Sequence, residues 1–472
     1  MKTLLIFIQP MKTLLRIFFS LVIISSLAAC IEDGIDTSPS SQPEFSVDTL
    51  RLGVVFTGQP TPTSRFMVYN RHDKILSISN ISLRSGERTF RLNVDGFSGT
   101  SFQNIEIRPN DSIYVFVEAT LNPSGVPQLT EVNDILDFTT NGVTRSVVLN
   151  ATGQDVERLH GLVVESDMRL GDTYPYQIFD SLVVAPGATL TIGEGAKLHF
   201  HDKAYMRVYG SLVTEGTPEK FVEMSGDRTG NVVGDISFDL MSSQWEGLTF
   251  ASGSRGSRLS HTEIRNTVSG VTADSLSQVS MLNCRLRNSA GYVMRAIQSE
   301  ISLTGCELAE AADGVLYLRG GKALIGNCTF ANYYLFVVPR GAAIQLDHFN
   351  SKTDNKSGLP LLEAAITNSI IYGLGSDLSV GDLTGSAVTL RRCLLRSEGK
   401  DDDNFIDCIW GADPLFNTVR NDYYFDYRLQ EGSPALGVAI PELIPADGTL
   451  DIYGTPRLPA PNLGAYQAMK EE

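Results

Sequence analysis

Between about Phe45 and Thr152 apolar residues alternate with polar ones in short runs. Leu50, Leu52, Val54 and Phe56 form one set, Phe66 and Val68 a second, Leu76 and Ile78 a third, and Ile113, Val115 and Val117 a fourth. A period of two over such runs predicts half-buried antiparallel strands. Turn signals separate them at Ser85-Gly86, Asp95-Gly96, Pro109-Asn110-Asp111 and Asn141-Gly142. The last stands between Ile135–Thr139 and Val143–Leu149 and reads as a hairpin, because both of its residues tolerate positive φ.

Downstream the pattern changes from alternation to a longer repeat. Thr262, Cys284, Cys306 and Cys328 are each 22 residues apart. Taking that position as zero, position +2 holds Ile264, Leu286, Leu308 and Phe330, and position −3 holds Leu259, Met281, Leu303 and Ile325. Position −5 holds Val279, Ile301 and Ala323. Ser369 and Cys393 continue the frame, and the 41 residues from Cys328 to Ser369 are read as two coils, with Ile344, Leu346 and Phe349 filling the second. Positions −5 and −3 then point inward from one strand and 0 and +2 from the next. The residue between, Asn283, Gly305, Asn327 or Asn368, is of a type that accepts a left-handed bend. Two short strands and a bend every 22 residues predict a right-handed parallel β-helix of roughly 10–12 coils, each burying its apolar residues only against its neighbours. The fold expected is all-β, an immunoglobulin-like sandwich followed by this solenoid.

Residues 1–29 read as an export signal rather than as fold: Lys12 and Arg16 precede an apolar run, Ile17 to Leu27, too short to span a membrane. Met1 and Met11 both head a Lys-Thr-Leu-Leu stretch, so either is a candidate start. Leu27-Ala28-Ala29-Cys30 resembles the lipobox of bacterial lipoproteins, which implies lipid attachment at Cys30. Glu32 and Asp33 just after it resemble the surface-export signal of Bacteroidetes lipoproteins, which implies an outer-membrane, cell-surface location. Residues 30–44 are then a lipidated tether, 45–153 the sandwich and 155–470 the solenoid. The strand Phe66–Asn70 and the closing Leu149–Gly153 resemble immunoglobulin-like domains of the ASPM/SPD/Hydin and major-sperm-protein type. The runs Ser181–Phe200 and Trp245–Phe250, with the tail segments Asp413–Phe416, Asp426–Leu429, Asp451–Arg457 and Asn462–Tyr466, resemble the opening and closing segments of pectate-lyase-like surface proteins. That resemblance covers about two thirds of the chain and implies fold, not activity.

The chain carries 38 Lys plus Arg against 54 Asp plus Glu, a net −16. Loss of residues 1–29 removes Lys2, Lys12 and Arg16 and no acid, which takes the charge to −19. So acidic a surface excludes nucleic acid as a partner and opposes acidic polymers unless a basic strip or calcium offsets it. Cys284, Cys306, Cys328 and Cys393 fall on inward positions and read, with Cys408, as free thiols rather than disulfides. Glu263, Arg285 and Glu307 at position +1 read as a salt-bridge ladder on a solvated outer face. Arg265, Arg285 and Arg287 are the alternative binding candidates there. His199 and His201 flank Phe200 as metal candidates without a third ligand, Asp202 facing the other way. Asp401 and Asp403 are weak calcium candidates in an acidic loop. Tyr423, Tyr424, Phe425 and Tyr427 are candidates for stacking on sugars, with packing preferred.

Pectate lyases carry Trp-Ile-Asp-His and Arg-x-Pro-x-x-Arg, and polygalacturonases Asn-Thr-Asp, Gly-His-Gly and Arg-Ile-Lys; none is present, and Arg457-Leu-Pro-Ala does not complete the second. The expected function is a surface lipoprotein presenting a non-catalytic β-helix to a glycan or a surface protein. The alternatives are a polysaccharide lyase or glycoside hydrolase acting on acidic glycans, and an accessory subunit of a surface uptake or assembly complex.

Overall fold

The computed structural model describes residues 34–233, 236–347, 362–381 and 383–467. The leader, Cys30 and Phe349 lie outside them. The protein is all-β, with 52% of the described residues in strands and 2% helical. It divides into two compact units, one ending at Gly153 and the other holding Gly125–Gln128 and everything from Gln154 onward.

The first unit contains two antiparallel five-stranded sheets that contribute to one core. Phe66, Val68, Ile78, Val115 and Val117 are all buried in it, as the alternation requires. The Asn141-Gly142 hairpin forms with φ of 52° and 80°, and Val143 pairs with Thr140. One inward assignment fails. Gly53 adopts φ 78°, which slips the alternation by a residue, so Val55 is buried and Val54 exposed. The unit also begins before Phe45: Asp36 N–H donates to Ile75 O at 2.8 Å, and Glu44–Phe45 pairs with Val68 and Tyr69.

The second unit is built on a 26-stranded parallel sheet, whose pairings resolve into three ladders. Ladder A runs upward from Glu157 through the strands Lys197–Phe200, Val222–Gly226, Thr262–Thr267, Arg285–Ser289, Glu307–Ala311, Thr329–Asn332 and Ile370–Gly373 to Ile409–Trp410, eleven strands in all. Ladder C includes Gln278–Leu282 and the following −5 and −3 positions in register, Val279 with Ile301 and Ala323, and Met281 with Leu303 and Ile325. Between C and A the chain bends at residues in the left-handed region: Asn283 (φ 52°), Gly305 (62°), Asn327 (53°) and Asn368 (47°). The 22-residue frame therefore reads two ladders and the bend joining them.

A third ladder, B, carries Val271–Ala273 against Met294–Ala296, Leu316–Leu318 and Ile344–Leu346. Its spacing stays near the repeat only from Thr249 to Tyr317 and lengthens on either side, toward Arg207 and toward Gln345. Ladder B also corrects the reading of the 41-residue interval. Thr329 pairs directly with Ile370, and Ala323 with Ala364. Cys328 to Ser369 is thus one enlarged coil, with Ile344 and Leu346 on its B strand.

The tail does not add further rungs beyond Trp410. It folds back along the outside of ladder A, where Phe416, Tyr427, Leu429, Ile452, Leu463 and Tyr466 form a second core with Ala309, Ala331, Ile370 and Leu394. Gly270 illustrates how close the rungs lie. Its φ is 67°, and a Cβ there would sit 2.2 Å from Tyr292 O and 2.3 Å from Val293 O. Gly270→Ala is expected to cost more than ~2 kcal/mol, whereas Gly230→Ala, at φ 84° with open space around it, costs about 1 kcal/mol. Chemical denaturation of the two variants measures the difference.

Candidate functional site

The charged candidates converge on the outer face of ladder A. In-register pairing stacks Lys197, Glu223, Glu263, Arg285 and Glu307 in one row. Arg265, Arg287 and Ala309 form the neighbouring row. The expected ladder does not pair along its own row: among the described residues Glu263 and Glu307 meet Arg265 and Arg287 of the neighbouring row, not Arg285, and the tail covers the upper part of the face expected to be solvated. Glu307 is fully buried; one carboxylate oxygen accepts from Arg287 Nε and the other from the Tyr466 hydroxyl. Arg285 lies 4.7 Å from the Phe221 ring and 5.0 Å from the Tyr453 ring, a guanidinium held between aromatic faces. Lower down, Arg265 meets Glu223 at 3.8 Å, Glu263 at 3.6 Å and Asp239 at 3.3 Å.

These groups set each other's charge. Burial works to raise the Glu263 carboxyl, yet Arg265, Arg287 and Arg285 hold it below the usual carboxylate range. Burial likewise opposes the Arg287 charge, and Glu307 and Tyr466 restore it. Such pairs fix geometry more than they add stability, since desolvation offsets much of their attraction.

Glu310 is the exception. It occupies position +4, where other coils carry Asn266 (φ 69°) and Asn288 (φ 54°), and it adopts the same left-handed backbone at φ 53°. Its side chain is buried against the Tyr427 hydroxyl. Burial pushes its carboxyl well up, only partly offset by Arg287. A carboxylate pair for sugar hydrolysis must flank an accessible glycosidic bond. Glu307 and Glu310 instead lie under Tyr466 and Tyr427.

The remaining candidates are dispersed. His199 Nδ1 lies 3.1 Å from Ser225 Oγ, and its ring is pushed down to about 4 by burial, reinforced by Arg265. His201 Nδ1 is 2.7 Å from Asp227, and Asp202 is exposed. Asp401 accepts from Trp410 Nε1 at 3.0 Å and from Cys408 N at 3.2 Å, while Asp403 is exposed. No group of three His, Cys, Asp or Glu side chains able to hold a metal occurs among the described residues. Tyr427 is packed in the tail core, whereas Tyr423 and Tyr424 are 43% exposed. The five cysteines among the described residues are all free. Cys408 stands beside Cys393 in ladder A; the Cys393 thiol hydrogen bond draws it down to about 7.

Ladder B presents a set that the sequence reading missed. Arg207, Thr249, Thr272, Arg295, Tyr317 and Gln345 follow one another in register as a single outward row. Tyr317 stacks on Tyr292 with ring centroids 5.3 Å apart, and the Tyr292 hydroxyl donates to Gln345 at 2.7 Å. Arg295 sits 6.0 Å from the Tyr317 ring, and its Nε has no hydrogen-bond acceptor. At the row's lower end Tyr205, Arg207, Glu246 and Thr249 line a cleft of about 230 Å³ that includes Gly247 and Gly270. Spacings of 23, 23 and 22 from Thr249 through Tyr317 were the signal available.

No family model matches the chain, and no curated protein matches it. Among solved structures it has a 14% identical match to the Vibrio cholerae VesB protease, covering 25% of this chain and 33% of that one at a TM-score of 0.18. A family 123 glycoside hydrolase from Clostridium perfringens matches at 10% identity, 24% and 26% coverage and a TM-score of 0.17. A Porphyromonas gingivalis W83 protein of unknown function matches at 12% identity, 27% and 58% coverage and a TM-score of 0.19. The chain thus spans between about a quarter and three fifths of those chains.

The buried Glu310 generates a pH dependence. Its folded-state value is raised above that of the unfolded chain, near 4.3, so the fold retains a proton that the unfolded chain releases. Stability from this group is complete below the unfolded value and declines as pH rises toward the folded one. Glu310→Gln keeps the acceptor for Tyr427 and removes the titration. Thermal unfolding curves of the two proteins should coincide near pH 4, and by pH 8 the variant should melt roughly 2 °C or more higher.

Proposed function

We propose that the chain is a surface lipoprotein in which an immunoglobulin-like sandwich carries a right-handed parallel β-helix, and that the helix binds a glycan or a surface protein without cleaving it. Three parallel ladders repeating every 22 residues support the β-helix reading. Its hand follows from the strong preference of parallel crossovers for the right-handed sense. The two antiparallel sheets around one core support the sandwich reading.

The observation that carries the binding reading is the open row on ladder B. Two arginines, two threonines, a tyrosine and a glutamine follow one another there at one strand spacing, groups that stack on sugar rings and hydrogen-bond their hydroxyls. The acidic and basic residues of ladder A, by contrast, are committed to one another and to the tail. The lyase and hydrolase alternatives need accessible carboxylates or bases, and ladder A offers these less readily than ladder B offers a binding surface.

Against a panel of neutral soluble polysaccharides in affinity electrophoresis, the double variant Arg295→Ala/Tyr317→Ala should lose at least tenfold in affinity for whichever polymer retards the parent. Incubation with uronic-acid polymers, with and without calcium, should release no product; clear turnover overturns the non-catalytic reading. Cys30→Ala should move the protein from the membrane to the soluble fraction, and continued attachment would remove the lipoprotein reading.

A further inference from the structure

We propose that the first unit is itself a binding site, for acidic saccharides bearing uronate carboxylates. The strands Ser64–Tyr69, Ser112–Ala119, Phe90–Val94 and Phe97–Gly99 lie side by side in one sheet. The last three, with Thr63 just before the first, border a groove of about 820 Å³, lined by Arg88, Arg91, Asn93, Ser98, Phe116 and Glu118 among others. That volume falls within the range of ligand pockets.

The register explains the composition. Phe116 pairs with Arg65 on one side and Asn93 on the other, and Asn93 pairs with Ser98. Arg91 pairs with Glu118 one step along. Phe116 is half-buried, so one part of its ring is held by the sheet while the rest faces the groove. Tyr114 lies 5.8 Å from Phe116 with its ring tilted by 32°, and Arg65 covers Tyr114 at 5.1 Å. Phe116 thus supplies the aromatic surface of the groove, on which a pyranose ring can lie.

Charge supplies the specificity. Arg88 and Arg91 are exposed, and neither has an ion-pair partner among the described residues, in a chain of net −16. Of the nearby carboxylates, Glu118 accepts from the Thr63 hydroxyl at 2.5 Å, and Glu87 precedes Arg88 in the loop. Two free guanidinium forks beside an aromatic surface match a sugar that carries a carboxylate, which arginine binds through paired hydrogen bonds. Asn93 and Ser98, hydrogen-bonded to each other at 3.1 Å, add amide and hydroxyl groups for the ring oxygens. This is the basic strip that an acidic protein needs to hold an acidic polymer.

Titration of the full chain with tetragalacturonate at low salt, followed by calorimetry, tests the site, with maltotetraose as the neutral counterpart. Saturable binding is expected, at least tenfold stronger than to maltotetraose. It should fall at least tenfold in Arg88→Ala/Arg91→Ala and in Phe116→Ala, and be unchanged in Arg51→Ala, an exposed arginine on the other sheet of the same unit. Circular dichroism of each variant checks that the fold is retained, and Phe116→Leu replaces Phe116→Ala if it is not. Absence of saturable binding, equal binding of maltotetraose, or an equal loss in Arg51→Ala overturns the proposal. Loss in the arginine variants with none at Phe116 makes the groove a general anion site and overturns the saccharide assignment.

Discussion

In-register pairing of parallel strands between successive coils is the constraint on which the second unit depends. Each strand of ladders A and C presents its apolar residues at the same height as those above and below, so Cys284, Cys306 and Cys328 come to lie in one buried column. A coil in isolation would leave that stripe in water. The pairing is possible only where the chain can turn sharply between ladders, which is why asparagine and glycine occupy the left-handed bend at residues 283, 305, 327 and 368. The same stacking brings like positions of the outer face together, and that is what turns scattered charges into rows.

Those rows have different fates according to what covers them. On ladder A the tail lies over Glu307 and Glu310, and the ionic groups survive burial because each finds a partner or gives up its charge. Arg287 is held by Glu307, Glu307 by Tyr466, and Glu310 by retaining a proton. On ladder B the corresponding row stays open, and its arginines and tyrosines remain available. In the first unit, the outer face of one sheet is similarly open around Phe116 and Arg91.

Legibility in the sequence followed the strictness of the spacing. Period-two runs located most inward residues of the first unit, and the fixed interval located ladders A and C, because both patterns are imposed by backbone geometry. Ladder B escaped, since the spacing of its strands holds near the repeat only between Thr249 and Tyr317, and so did the slip at Gly53, which a single left-handed residue produces. The enlarged coil between Cys328 and Ser369 mimicked two coils because its length is near a multiple of the period. The sites were hardest to read. Glu307 looked solvent-facing from its own coil, and only the tail, more than a hundred residues away, makes it buried. The groove around Phe116 joins three strands whose pairing no local pattern encodes.

The bond between Tyr466 and Glu307 spans 159 residues, and it alters how the stacked coils hold together. A pure stack is a chain of nearest-neighbour links, free to fray from either end and tolerant of rungs gained or lost. A strap running back over several rungs ties their fates together, so that opening one requires lifting the strap from all. The number of coils is then no longer a free variable. A duplication between Thr329 and Trp410 would carry Glu307 away from Tyr466 by a whole rung, and the strap would no longer fit. The tail thus acts as a ruler, fixing the length of the stack it closes.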